Sequence, residues 1–259
     1  MPESPLHAMR RFFLAAQPDP DQTLVVTGAE AHHMGRVLRL RPGQRVEFFD
    51  GQGHVHQAVI LSVSREAITT RVEQTTTDDA PALPLVLGQC LLKGKKMDFV
   101  VQKATELGVH ELLPLVSEYC ENHGDRDRLE ERWRRIMIEA CKQCRRAEPM
   151  RIHPVTLLRE ADFSSCGHRL VAWEGERAAA LATDFINQPA AVALVMGPEG
   201  GLHDNDLHWL DHWGFQRFSL GPRILRGETA TLAAVAILQY QIGALRPAPG
   251  SETDDTLSG

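Results

Sequence analysis

Residues 83–116 read LPLVLGQCLLKGKKMDFVVQKATELGVHELLPLV, and this stretch decides the fold class. The apolar run 83–92 has the length of a strand. Met97, Val100, Val101, Ala104 and Leu107 then recur at three and four residue spacing and stop at Gly108, which predicts an amphipathic helix closed by a glycine. Residues 109–116 form the next strand. A strand, a helix and a strand in close succession predict a parallel pair joined by a crossover helix.

The same rhythm continues downstream. A second helix passes through Leu129, Trp133, Ile136, Ala140 and Cys144, and its other face carries Arg132, Arg134, Arg135, Lys142 and Arg145. Short strands at 170–173 and 191–196 run into polar or glycine-rich turns, and the carboxyl ends of such strands are where an open α/β sheet holds its ligand. A helix at 203–213, a strand at 215–220 and a helix at 228–242 complete the series. From 246 onward two prolines and little apolar surface predict a disordered tail.

Upstream the periodicity is different. Strand-like runs at 45–50 and 54–63 flank Asp50-Gly51-Gln52-Gly53, a hairpin signal, and another run follows at 67–73. Residues 9–75 therefore read as a small antiparallel β-domain, a barrel, after an extension at 1–8. Residues 31–46, of strand and turn character, hold Arg36, Arg39, Arg41 and Arg45 and no acid. The polar stretch that begins at Thr75 and closes at Pro81 gives a linker at 76–82, and 83–245 form the α/β domain.

The composition sets bounds. With 259 residues, 43% hydrophobic and 24% charged, at net charge −6, the chain suits one large or two smaller globular domains and not a disordered or fibrous one. No apolar run approaches the roughly 20 residues of a membrane-spanning helix, and no secretory leader is evident, so a cytoplasmic protein is expected. Five cysteines, an odd number, predict reduced thiols. The acidic balance argues against coating nucleic acid by bulk charge, but leaves room for local basic faces.

Two nucleotide signatures fail. Gly94-Lys95 lacks the glycine a phosphate-binding loop needs at position 89, which is Gln89, and Lys96 stands at its Ser/Thr position. Gly197, Gly200 and Gly201 lack the dinucleotide spacing. Cys120, His123, Cys141 and Cys144 have a zinc-like spacing, but Cys141 and Cys144 fall on or near the packed face of the second helix, so no metal is expected.

Two loops stand out. Val195-Met196-Gly197-Pro198-Glu199-Gly200-Gly201-Leu202 takes a strand into glycines that allow close approach of a ligand to the backbone. Leu220-Gly221-Pro222-Arg223-Ile224-Leu225-Arg226-Gly227-Glu228-Thr229-Ala230 again joins a strand end to a helix start. Together they frame one pocket. Glu228 suits a helix N-terminus, and Arg226 is either a functional cation or a structural partner of Glu228 or Glu199.

With these loops in view, the chain resembles the ribosomal RNA small subunit methyltransferase E family, within the SPOUT class of methyltransferases. The resemblance rests on Met9-Arg10-Arg11-Phe12-Phe13, His32-His33, Val37-Leu38-Arg39-Leu40 and Lys103-Ala104-Thr105-Glu106-Leu107-Gly108-Val109. It continues through Glu139-Ala140 with Gln143, then Gly197 to Gly201, and Ile224-Leu225-Arg226 with Glu228-Thr229-Ala230. Arg145 stands where a glycine is usual, Gly227 where a threonine is common, and eight residues precede Met9.

The resemblance implies a PUA-like β-barrel followed by an α/β domain with a trefoil knot, which dimerises. It implies S-adenosylmethionine as methyl donor, held by Gly197, Glu199, Gly200, Gly201, Leu220, Gly221, Ile224, Leu225, Thr229 and Ala230. The implied reaction methylates N3 of the uridine that the family's naming numbers 1498, in 16S rRNA, either naked or within the small ribosomal subunit. N3 carries a proton, so a base or a group stabilising the uracil anion is needed. Arg226 suits the second role, and Glu199 is a possible base, although a carboxylate in such a turn more often holds the loop. Arg10, Arg11, Arg36, Arg39, Arg41, Arg132, Arg135, Arg145 and Arg146 are the candidate RNA contacts. An RNA-binding protein of the same fold without catalysis, or a methyltransferase of another nucleotide, are the competing readings.

Overall fold

The computed structural model describes residues 9–19, 21–78, 83–120, 125–176, 179, 181 and 190–245. In chain order its elements are β1 (Arg10–Phe13), β2 (Thr23–Thr27), α1 (Gly28–His32), β3 (Arg45–Phe49), β4 (His54–Val63), β5 (Ala67–Thr77) and β6 (Leu85–Cys90). Then come α2 (Lys96–Glu106), β7 (Glu111–Val116), α3 (Arg126–Cys144), β8 (Arg151–Ile152), β9 (Thr156–Leu157) and β10 (His168–Ala172). The last are β11 (Val192–Met196), α4 (Asp204–His212), β12 (Gln216–Phe218) and α5 (Gly227–Gln241). The expected extension at 1–8 and the tail from 246 lie outside the described residues.

Two compact units emerge, one of Met1–Ala80 with Glu131–Met150 and one of Pro81–Glu130 with Arg151–Gly259, so the division falls within α3. In the first unit five strands follow the order β1-β3-β4-β5-β2. Alternation buries one set of side chains, and Phe12, Val46, Phe48, Ala58, Ile60 and Ile68 meet in a single core.

Three expectations for this unit are corrected. The sheet is not antiparallel throughout: β1 pairs with β3 in parallel, Arg10 opposite Val46 and Phe13 opposite Phe49. That register puts Phe12 beside Phe48 in the core. Residues 28–37, inside a region read as strand and turn, form α1 and a π-helical turn (His33–Val37). Ala31 and Met34 are buried and Leu38 packs against the same core, a spacing of three and four that His32, His33 and Arg36 between them obscure. The segment beginning at Thr75 is still strand, because the long β4 supplies partners for it, His56 opposite Thr75 and His54 opposite Thr77. Threonine is β-branched and suits a pleated surface. Of the expected linker, 79–82 lie outside the described residues.

In the second unit seven strands form a sheet in which β12-β10-β11-β6-β7-β8 is the order, and β9 pairs with the end of β7. All these pairings are parallel, as the alternating pattern from 83 onward requires. β11 lies between β10 and β6, and all five of its residues are buried. Packing on this sheet leaves no room at Gly88, where a Cβ would come within 2.9 Å of Phe163 and 3.1 Å of Val195. α5 reaches the middle of the sheet: buried Thr231 donates to Gln89 Oε1 at 2.6 Å, and Gln239 donates to the carbonyl of Leu107 after α2 at 2.7 Å. Because the strands run the same way, the carboxyl ends of β6, β10, β11 and β12 open on one edge.

Candidate active site

At that edge the turn after β11 and the loop between β12 and α5 enclose a cavity of about 530 Å³. Glu199, Gly197, Gly200 and Gly201 line it from the first loop. Gly201 N–H donates to Pro198 O at 3.0 Å to close the turn, and Gly201 has φ +77°, a conformation that disfavours side chains. A Cβ there would also displace the Glu174 carboxylate, so glycine is required by the turn and leaves room for that side chain.

The second loop contributes Leu220, Gly221, Ile224, Leu225 and Arg226, and Ala230 follows on the first turn of α5. Ser219 Oγ accepts from Gly221 N at 3.2 Å, which folds the loop back where Gly221 has φ +103°. Ile224 is 92% exposed, an unusual state for a large apolar side chain and one that suits a ligand-contacting loop. Thr229 does not line the cavity and is exposed. Arg226 is the N-cap residue of α5, with φ −65° and ψ 150°, and its carbonyl accepts from Ala230 N at 2.8 Å. Among the described residues its guanidinium has no hydrogen-bond or ion-pair partner.

The charges around the cavity are arranged unequally. Glu199 accepts from Lys96 Nζ at 2.8 Å and from the backbone N–H of Lys93 at 3.1 Å. Burial pulls its carboxyl upward, but the bond from Lys96 and those from the backbone N–H groups of Glu199 and Lys93 outweigh it, so its pKa lies below the ordinary value. A carboxylate so engaged is a poor proton acceptor and a good anchor. Glu228 lies 3.8 Å from the same lysine.

Sequence reasoning missed Lys96, Trp173, Glu174 and Ser219, all of which line the cavity. A signal existed for each. Lys96 follows β6 in a segment tested only as a phosphate loop, and Trp173 and Glu174 follow β10, whose carboxyl end belongs to the ligand edge. Ser219 immediately follows β12.

The arginines proposed for RNA have different fates. Arg10 on β1, Arg36, Arg39 and Arg41 after α1, and Arg132 and Arg135 on α3 are exposed. The Arg11 side chain is 6% exposed, bonds Glu47 at 2.8 Å and lies 4.9 Å over the Phe49 ring, so it is a core cation. Arg145 also bonds Glu47, at 2.9 Å, and holds φ +65°, the left-handed turn that a glycine after a helix adopts without strain. Arg146 donates to the carbonyl of Glu148 at 2.6 Å, and burial lowers its pKa. Of the cysteines weighed for zinc, Cys141 is buried, and Cys120 has its thiol pKa lowered to about 6, first by a hydrogen bond with Cys90. His123 lies outside the described residues.

Comparison with known proteins agrees with this geometry. Residues 79–239 match the RNA methyltransferase domain family, and residues 26–73 match the RNA methyltransferase PUA domain. The chain is 31% identical to the ribosomal RNA small subunit methyltransferase E of Bacillus subtilis, over 92% of this chain and 99% of that one. It is 28% identical to the Mycobacterium tuberculosis protein of the same name, over 87% of this chain and 88% of that one. Among solved structures, a ribosomal RNA small subunit methyltransferase E from Neisseria gonorrhoeae bound to S-adenosylmethionine shares 33% identity, with TM-score 0.80 over 89% of this chain and 97% of that one. A Legionella pneumophila protein with the same cofactor bound shares 31% identity, with TM-score 0.79 over 90% of this chain and 97% of that one.

Proposed function

The chain belongs to the ribosomal RNA small subunit methyltransferase E family, and on that premise we propose that it methylates N3 of a uridine of 16S rRNA, position 1498 in the family's naming, using S-adenosylmethionine. The observation that carries this reading is a cavity made jointly by two glycine-bearing loops at the carboxyl ends of parallel strands, with Arg226 at its wall. The cradle suits the donor: Gly201 and Gly221 both line it with positive φ, a backbone conformation that glycine adopts without strain, and the space around Gly221 is open. Gly197, Gly200, Gly201, Leu220, Gly221, Ile224, Leu225 and Ala230 would hold it. Thr229, exposed outside the cavity, would support the start of α5 instead of touching the ligand.

The donor supplies a methyl group already activated on a sulfonium centre. The chain's own task is then to bind and orient the uridine and to stabilise negative charge on the uracil as N3 loses its proton. Arg226 performs that role, since a guanidinium stays charged and presents directed donors. Glu199, a possible base and donor-binding residue on the sequence, lines the cavity beside the donor, and its bonds from Lys96 and the Lys93 amide suit an anchor of the first loop better than a base.

The PUA unit presents Arg10, Arg36, Arg39 and Arg41 to rRNA, and Arg132 and Arg135 extend that exposed set on α3. Closure of its sheet into a barrel follows the family, as do dimerisation, a cytoplasmic setting and the assembled small subunit as partner. The trefoil knot likewise follows the family, and the last segment leaves the outer strand β12 and packs back against β6 and α2.

Transfer of labelled methyl to small subunits that lack the modification, followed by nucleoside mass spectrometry, tests the proposal. Label in 3-methyluridine is expected. Label in another nucleoside overturns the target, and RNA binding without transfer or donor binding favours the non-catalytic reading.

A further inference from the structure

Three cations line the cavity, Lys96, Arg223 and Arg226, and only the first has an ion pair among the described residues. Lys96 opens α2, at the carboxyl end of β6, and β6 is the sheet neighbour of β11. This position brings its Nζ to 2.8 Å from Glu199 Oε1, in the turn after β11, and to 3.8 Å from Glu228 Oε2, in the first turn of α5. Glu228 is two residues from Arg226, so one ammonium joins the two loops that frame the cavity.

The two carboxylates are those that sequence reasoning set against a functional Arg226 as its structural partners. Both face Lys96 instead. Glu228 Oε2 is buried and has no hydrogen-bond partner among the described residues, so the lysine 3.8 Å away is its compensating cation there. Glu199 is held doubly, by Lys96 and by the Lys93 amide. Lys96 with the two carboxylates carries a net charge of about −1, and removing the lysine leaves about −2 beside Arg226, a strong pull on the remaining guanidinium.

Resting on the proposed methyl transfer, we infer that Lys96 is a positioning residue: it occupies Glu199 and Glu228 and so leaves the Arg226 guanidinium available to the reacting uracil. Lys96 does not touch the reacting atoms in this scheme. It prevents an intramolecular ion pair from consuming the group that does. Charge alone is required, so arginine at this position serves where an isosteric neutral side chain does not.

The test compares wild type, Lys96→Met, Lys96→Arg and Lys96→Met with Glu228→Gln in the full chain. Methyl transfer to small subunits gives kcat and KM, calorimetry gives S-adenosylmethionine affinity, and NMR follows water exchange of the Arg226 Nε–H, assigned with Arg226→Lys. Lys96→Met should lower kcat by about tenfold or more, with KM and donor affinity within about threefold, and should slow the Arg226 exchange. Lys96→Arg should restore kcat to within about threefold, and the double variant should recover at least about threefold over Lys96→Met. Unchanged kcat and exchange in Lys96→Met overturn the inference. So does a loss that tracks donor affinity and is not relieved by Glu228→Gln, since Lys96 would then merely brace the loop. If Lys96→Met does not fold, the exchange and kcat are read in Lys96→Gln with the same criteria. The exchange arm needs no substrate, so an inactive wild type would sink the proposed function while the pairing still received its own answer.

Discussion

Arg11 in the first unit and Arg226 in the second both sit beside glutamates, and they end in opposite states. Arg11 is enclosed with Glu47, a carboxylate 2% exposed that also receives Arg145. Arg226 has two glutamates within reach in sequence or space, yet Lys96 engages both. Among the described residues one arginine is paired and the other is not, according to whether another cation satisfies the local carboxylates. Among the described residues the other cation at Glu47 is Arg145, and because it bonds the second oxygen it does not replace Arg11.

The sharpest way to break this contrast is Glu47→Ala, which leaves Arg11 buried without a partner. An uncompensated buried charge costs about 3–5 kcal/mol, so urea unfolding of the full chain should show a loss of that order. A change within about 0.5 kcal/mol would mean that Arg11 escapes to solvent and that the pair has little structural weight.

Arg226→Ala should behave in the opposite manner. Its side chain makes no cap hydrogen bond, so the unfolding midpoint should stay unchanged, while kcat should fall by about 10²-fold or more as for loss of an oxyanion-stabilising donor. An equal loss of donor affinity and activity would reassign it to cofactor binding. Smaller than either, Gly201→Ala should weaken donor binding by roughly tenfold, because alanine at φ +77° strains the turn. Calorimetry reads that change directly.

The smallest effect belongs to pH. His56 is buried, donates or accepts at Thr75 Oγ1 over 2.9 Å, and its pKa lies below 6.5, lowered by burial against the opposing pull of Asp50, with His54 lowering it further. The unfolded chain therefore takes up this proton first, and the contribution is lost as pH falls through 6.5 towards the folded value. Denaturation midpoints between pH 7.5 and 5.5 should decline less steeply in His56→Gln than in wild type, and parallel slopes would remove His56 from the account. Asp50 acts at lower pH: burial raises its pKa, but bonds from Gln52 N, His54 and Gln17 overcome it, so its stabilisation is lost progressively as pH falls from the ordinary carboxylate value through the lower folded one.

Much of the second unit was legible because its elements are written in local periodicities. The helix expected from Met97 to Leu107 is α2, and the helices expected at 203–213 and 228–242 are α4 and α5 with ends shifted by one residue. Local rules were insufficient where a distant partner decides the conformation. Thr75, Thr76 and Thr77 look like linker, yet β4 holds them as strand. Met9-Arg10-Arg11-Phe12-Phe13 carries no sign that β1 pairs in parallel with β3, since register is a property of two segments.

The same division applies to the site. Sequence by itself determined the two loops, because glycine in positive-φ turns and a strand-to-helix junction are local requirements, and it marked Arg226 as a cation without an obvious task. Only the tertiary structure decided which charges meet. Lys96 and Glu199 are 103 residues apart, and nothing in either segment alone encodes their 2.8 Å bond. It exists because β6 and β11 are neighbours in a parallel sheet, which sets the first turn of α2 beside the turn that carries Glu199.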